Sequence, residues 1–216
     1  MDIAANIKKF RSEISDDVIL VAISKTKPNE DLQEAYDAGQ RIFGENRIQE
    51  MSDKSETLPK DIEWHMVGHV QTNKVKDMAP YVSLVHSADR PKLFKEINKE
   101  AEKNDRTIKV LLQVKIAEED SKYGMPFEKA EAFLKNEKAK DYPHVKLMGL
   151  MGMATFTDDE EQVTKEFKTL KELYERFKES NDLTILSTGM SGDYKLGLAQ
   201  GSNMIRIGSS IFGKRG

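Results

Sequence analysis

The chain has 216 residues, with 34 Lys and Arg against 37 Asp and Glu, a formal net charge of −3 and no cysteine. Without cysteine there are no disulfides, thiolate metal sites or cysteine nucleophiles, and a reducing compartment, the cytoplasm, is expected. A sequence pI near 5.9 leaves no basic excess to neutralise phosphates, so nucleic acid is not expected as a partner. The longest wholly apolar run, 18–23, falls far short of the ~20 residues that span a bilayer, so no membrane partner is expected either. The N-terminus lacks a signal-peptide layout. No Gly/Ser linker or low-complexity tract divides the chain, so a single domain over residues 1–216 is expected.

Residues 3–14 place Ile3, Ile7, Phe10 and Ile14 on one helical face. Short β-branched or apolar runs then recur at 18–23, 41–43, 63–67, 82–85, 108–114, 146–152, 183–187 and 204–207. Helical spacing fills the intervals. Leu32, Ala35 and Tyr36 share a face that stops at Gly39, and Leu93, Phe94, Ile97 and Ala101 share another. Pro126 opens a helix carrying Phe127, Ala130, Phe133 and Leu134. Val163, Phe167, Leu170, Tyr174 and Phe177 form a longer stripe, preceded by the acidic residues 158–161 that suit a first helical turn.

Strands alternating with helices imply right-handed βαβ units around a parallel sheet. Eight units predict an α/β fold, a closed (β/α)8 TIM-type barrel with an extra N-terminal helix. An open doubly wound sheet is the alternative, but its Gly-rich turn is missing after Ile23.

Barrels carry their chemistry at the C-terminal ends of the strands. Lys25 follows a wholly apolar strand and is expected at the barrel mouth, where partial burial favours the neutral amine that attacks an aldehyde. A surface loop lysine fits the same spacing; Lys27, before Pro28, is already leaving the strand. The last two strands end in Gly/Ser turns, 187–192 and 206–210, where barrels commonly bind phosphate. Ser191 is expected at or near the N-terminus of the helix leading to Ala199. Gly/Ser turns are common connectors, but two of them opposite a lysine suit pyridoxal phosphate. His65 and His69 straddle a strand end rather than sharing a helix face, so no metal is expected and His65 should pack or hydrogen-bond at the mouth. His86, at the end of the fourth run, carries the same choice, and residues 71–74 begin a helix that they either cap or extend toward the site. Met148, Met151 and Met153 read as packing residues alternating along the sixth strand.

The motifs AISKTKP (22–28), FGENRIQE (43–50), WHMVGHVQTNK (64–74), SKYG (121–124), GLMGM (149–153), STGMSGDY (187–194) and RIGSSIFG (206–213) resemble the pyridoxal phosphate homeostasis protein family. The family's fold is the barrel of the alanine racemase N-terminal domain. The resemblance implies that Lys25 holds pyridoxal 5′-phosphate as a covalent aldimine, and that Ser191, Gly208 and Ser209 surround its phosphate. It further implies that Arg206 faces the pyridine nitrogen and that Asn46 lies near the cofactor. Thr188 departs from the methionine usual at that position and leaves Gly189 and Ser191 in place. The implied role is buffering and delivery of the cofactor, with an influence on amino-acid and keto-acid balance and no catalytic turnover. Apo pyridoxal-phosphate enzymes are the implied recipients, and a monomer the implied state. Two other readings stay open. A small amino-acid racemase would need an acid/base on each face of its substrate, and only Lys25 is evident. The sequence ends four residues after Phe212, so the second domain that supplies alanine racemase with a tyrosine base is not expected. A Schiff-base aldolase for a phosphorylated sugar would use the phosphate turns for its substrate.

Overall fold

The computed structural model describes residues 2–119 and 122–213. Helix α1 (Ile3–Glu13) comes first, capped by Asp2, whose side chain accepts from the Ala5 amide. Strands and helices then alternate: β1 (Ile19–Ile23), α2 (Asn29–Asp37), β2 (Ile42–Glu45), α3 (Ile48–Thr57) and β3 (Glu63–Met66). They continue through α4 (Val75–Met78), β4 (Leu84–Ala88), α5 (Pro91–Lys103), β5 (Ile108–Gln113) and α6 (Phe127–Lys135). The chain closes with β6 (Val145–Met151), α7 (Glu160–Phe177), β7 (Ile185–Met190), α8 (Tyr194–Ala199), β8 (Met204–Ile207) and α9 (Ser209–Phe212). The strands are parallel, pair in sequence order and close from β8 onto β1. The predicted barrel with its extra N-terminal helix is therefore present. Among the described residues, no helix is long and apolar enough to cross a membrane.

Strand alternation divides the core into two layers. Val21, Leu84, Leu111, Met151, Ile185 and Met204 fill the barrel interior. Leu20, Ala22, Phe43, Val85, Leu150 and Ile205 face outward against helical side chains such as Leu93, Phe94, Ile97 and Leu170. Local signals behave as their chemistry demands: the Asp159 carboxylate accepts from the amides of Glu161 and Gln162 at the head of α7.

Two differences from the sequence reading are informative. β2 runs on to Glu45 and β4 to Ala88, past the apolar residues that marked them, because Glu45, His86 and Ser87 are fully buried. The methionines of β6 do not simply alternate. The β5–β6 register passes from Val110–Leu147 to Leu111–Gly149, leaving Met148 as an extra residue in a bulge. That bulge lets Met148 and Met151, three apart, both pack against the interior cluster, while Met153 lies beyond the strand. Gly149 is the close-approach point of this region: a Cβ there would lie 1.7 Å from the Ile185 carbonyl oxygen.

Candidate functional site

The C-terminal mouth of the barrel holds a cavity in two lobes that share Ile23, Lys25, Met190 and Arg206. The larger lobe, about 430 Å³, is bounded by Ser191, Gly192, Asp193, Gly208, Ser209 and Phe156 among others. The smaller, about 210 Å³, is bounded by Asn46, Gly68, His69, Gln113, Tyr123 and Met153. All six site residues expected from the sequence therefore meet here. Lys25 and Arg206 serve both lobes, Ser191, Gly208 and Ser209 the larger, and Asn46 the smaller.

Lys25 is half-buried in the turn that follows β1. Arg206 rises from β8 and is buried, with three bonds fixing its guanidinium. It donates to the Ser187 carbonyl at 3.1 Å, the Ser187 hydroxyl at 2.6 Å and the Gly152 carbonyl at 3.0 Å. Burial pulls its pKa down to about 10, with Asp193 acting in the opposite direction, so it remains a cation at neutral pH. Among the described residues, no carboxylate lies within ion-pair distance of it. A buried cation at the cavity wall, held only by neutral acceptors, suits a ligand atom with a lone pair or negative charge.

The two Gly/Ser turns meet across the larger lobe, where the Gly208 amide donates to Ser191 Oγ at 3.3 Å. The first intrahelical donors of α9, Ile211 and Phe212, both reach back to the Gly208 carbonyl, so the amides of Ser209 and Ser210 head the turn. A Cβ at Gly208 would lie 3.3 Å from both Cβ and O of Ile23, which leaves no slack between β1 and this turn. Ser191 stands near the N-terminus of α8, two residues ahead of its cap Asp193, and not at it. The Asp193 carboxylate folds back onto the Met190 amide at 2.5 Å, closing a turn over 190–193, and α8 starts only at Tyr194.

His65 corrects the sequence reading more sharply. It lies inside the barrel, not at the mouth, and lines a separate cavity of about 340 Å³ with Glu63, Lys109 and Met204 at the N-terminal ends of the strands. Its Nδ1 is 2.9 Å from Nε2 of His86, which sits mid-strand in β4 and is fully buried. His69 does reach the mouth, where its ring stacks on Tyr123 with centroids 4.7 Å apart. Residues 72–74 form a 3-10 turn before α4, and Gln71 and Lys74 line a side pocket with Asn46 and His69. Ser121, the first residue of the SKYG motif, lies outside the described residues.

Sequence reasoning missed the groups that hold these side chains: Ser187 and Gly152 under Arg206, and Glu45, Glu50 and Lys54 behind the Lys25 turn. The one available signal was Glu45, a charged residue directly ahead of Asn46 that ends an otherwise apolar strand.

A family model described as alanine racemase, N-terminal domain, matches residues 1–216. Fold and model together define the class, a barrel of that type. The pyridoxal phosphate homeostasis protein of Aquifex aeolicus (strain VF5) is 38% identical over 199 residues, covering 91% of this chain and 86% of its own. Its counterpart in Helicobacter pylori (strain ATCC 700392 / 26695) is 38% identical over 211 residues, covering 95% and 93%. PipY of Synechococcus elongatus PCC7942, solved with PLP bound, superposes with a TM-score of 0.88 at 31% identity, covering 98% of this chain and 100% of its own. An alanine racemase from Clostridium difficile 630 superposes with a TM-score of 0.85 at 12% identity, covering 57% of that longer chain, which is a likeness of fold alone. The chain belongs to the pyridoxal phosphate homeostasis protein family.

Proposed function

We propose that this protein binds pyridoxal 5′-phosphate at the barrel mouth through Lys25 and serves as a non-catalytic carrier of it in the cytoplasm. The observation that carries the reading is the convergence of Lys25, Arg206 and the Ser191 and Gly208–Ser209 turns on one cavity of about 430 Å³. Each group matches one part of the cofactor. The amides of Ser209 and Ser210, with the Ser191 hydroxyl, suit a phosphate. The Arg206 cation suits an unprotonated pyridine nitrogen, and Asn46 lines the smaller lobe with it. The Lys25 ε-amine condenses with the aldehyde, forming a C=N bond and releasing water, and another amine can take the aldehyde over by the same exchange.

A cation at the pyridine nitrogen disfavours ring protonation, so the ring withdraws electrons poorly while amine exchange stays available. That balance suits holding and delivery better than carbanion chemistry, and the names of the relatives agree with it. Delivery to apo enzymes, an effect on amino-acid and keto-acid balance, and a monomeric state belong to the same reading. One observation favours the racemase alternative: Tyr123, stacked on His69, lines the same lobe as Lys25 and offers a second acid/base.

Two measurements test the proposal. Adding pyridoxal phosphate should produce a new visible absorbance band in the wild type and none in Lys25→Ala. In heavy water, alanine incubated with the loaded protein should keep its α-proton. An unchanged band in Lys25→Ala refutes the binding site, and rapid α-deuteration refutes the carrier role in favour of racemisation.

A further inference from the structure

We infer that a cluster of the buried Ser24, Glu45 and Lys54 with the half-buried Glu50, outside the cofactor cavity, is a positioning device for Lys25. It holds the backbone on both sides of that residue. The Ser24 carbonyl accepts from Lys54 Nζ at 2.9 Å, and the Thr26 amide donates to Glu50 Oε1 at 2.6 Å. The cluster then closes on itself. Lys54 Nζ donates to Glu45 Oε1 at 2.8 Å and Glu50 Oε1 at 2.7 Å, and the Ser24 hydroxyl donates to Glu45 Oε1 at 2.6 Å. Three acceptors match the three protons of the Lys54 ammonium. Because Glu45 ends β2 and Glu50 and Lys54 are four apart on α3, the turn after β1 is tied to two neighbouring elements.

Two features set this cluster apart from ordinary scaffolding. The first is its burial. Glu45 is fully inaccessible and Lys54 only 5% exposed, and apolar residues of similar volume in such places commonly give equal or greater stability. Stability alone is therefore a poor reason for the ions, whereas apolar residues could not bond the two peptide groups that flank Lys25. The second is Thr26, a β-branched residue held at φ +64°, in the left-handed region such residues avoid. Its amide is the one fixed by Glu50, so the carboxylate maintains an unfavourable turn at the residue next to Lys25. Glu45, Glu50 and Lys54 do not line the mouth cavity, so they act through Lys25 and not on a ligand directly.

This inference rests on the reading that Lys25 captures the aldehyde. The test uses the full-length protein with Glu50→Ala, which removes the acceptor for Thr26, and Glu50→Gln, which restores an oxygen without the charge. Glu50 is 23% exposed at its side chain, so neither change opens a void in the core. Three quantities are read: exchange of the Thr26 amide in the protein without cofactor, the rate of covalent capture of pyridoxal phosphate, and the affinity for pyridoxamine 5′-phosphate. The last compound has the same ring and phosphate but no aldehyde. In Glu50→Ala, Thr26 exchange should rise and capture at Lys25 should slow, each by about tenfold, the loss of one charge-assisted hydrogen bond. Pyridoxamine phosphate affinity should stay within about twofold, since phosphate contacts lie on other loops. Glu50→Gln should fall between wild type and Glu50→Ala; should the alanine variant not fold, the glutamine variant decides. Wild-type capture rates in the variants, with the wild-type adduct on Lys25, would overturn the positioning role and leave the function intact. Equal loss of pyridoxamine phosphate affinity would also overturn it, by showing general damage. A wild-type protein that forms no adduct at Lys25 would overturn the proposed function itself, and this inference with it.

Discussion

The His65–His86 pair makes stability fall steeply in mild acid. Their 2.9 Å ring-to-ring contact needs a donor on one nitrogen and a lone pair on the other, and His86 Nδ1 is buried with no partner. Burial, reinforced by Lys109, pulls the His65 pKa from 6.5 to about 3. Burial, with His65 and Arg206, likewise holds His86 well below 6.5. Both folded values are depressed, so the unfolded chain binds protons first. The stability from neutral imidazoles is complete above pH 6.5 and is lost progressively as pH falls toward 3. His65 contributes about 1.4 kcal/mol per pH unit in that window, so lowering pH from 8 to 4.5 removes roughly 3 kcal/mol through that ring, and His86 acts in the same direction. That is a large share of the ~5–15 kcal/mol that holds a typical domain folded. Glu45 works in the opposite direction: burial raises its pKa, so its protonation adds stability as pH falls. Hydrogen bonds from Lys54 and Ser24 oppose that rise. Urea unfolding at pH 8, 6.5, 5.5 and 4.5, with imidazole nitrogen shifts followed by NMR, measures both the loss and its source. A stability constant across this range, or either ring titrating near 6.5, would refute the reasoning.

Other outcomes follow from the same physical terms. Lys54→Met strands the fully buried Glu45 carboxylate and should lower stability by about 3–5 kcal/mol, on the order of 10 °C in Tm; adding Glu45→Gln should recover most of it in a thermal-melt double-mutant cycle. A Cβ on Gly68 would lie 2.2 Å from the Asn46 carbonyl, so Gly68→Ala should displace the loop beside the smaller lobe and weaken pyridoxamine phosphate binding about tenfold by titration calorimetry.

The barrel was legible because its signals are local. Eight apolar runs, the start at Pro126 and the acidic cap at Asp159 each reflect neighbours within a few residues. The expected site residues were legible for a related reason: strand ends deliver Lys25, Ser191 and Gly208 to one mouth in any such barrel. What stayed hidden depends on contacts distant in sequence. The bulge at Met148 is set by the register against β5, and the interior place of His65 by its partner 21 residues away. Lys54 reads in the sequence as one more helical lysine. Only the packing of α3 against the end of β2 turns it into a buried cation beneath the Lys25 turn.

The most direct test of the central claim is borohydride reduction of the protein loaded with pyridoxal phosphate, followed by peptide mass mapping. The account predicts one stoichiometric reduced adduct, on Lys25, competed by excess inorganic phosphate. An adduct spread over surface lysines, or one concentrated at another position, would contradict it.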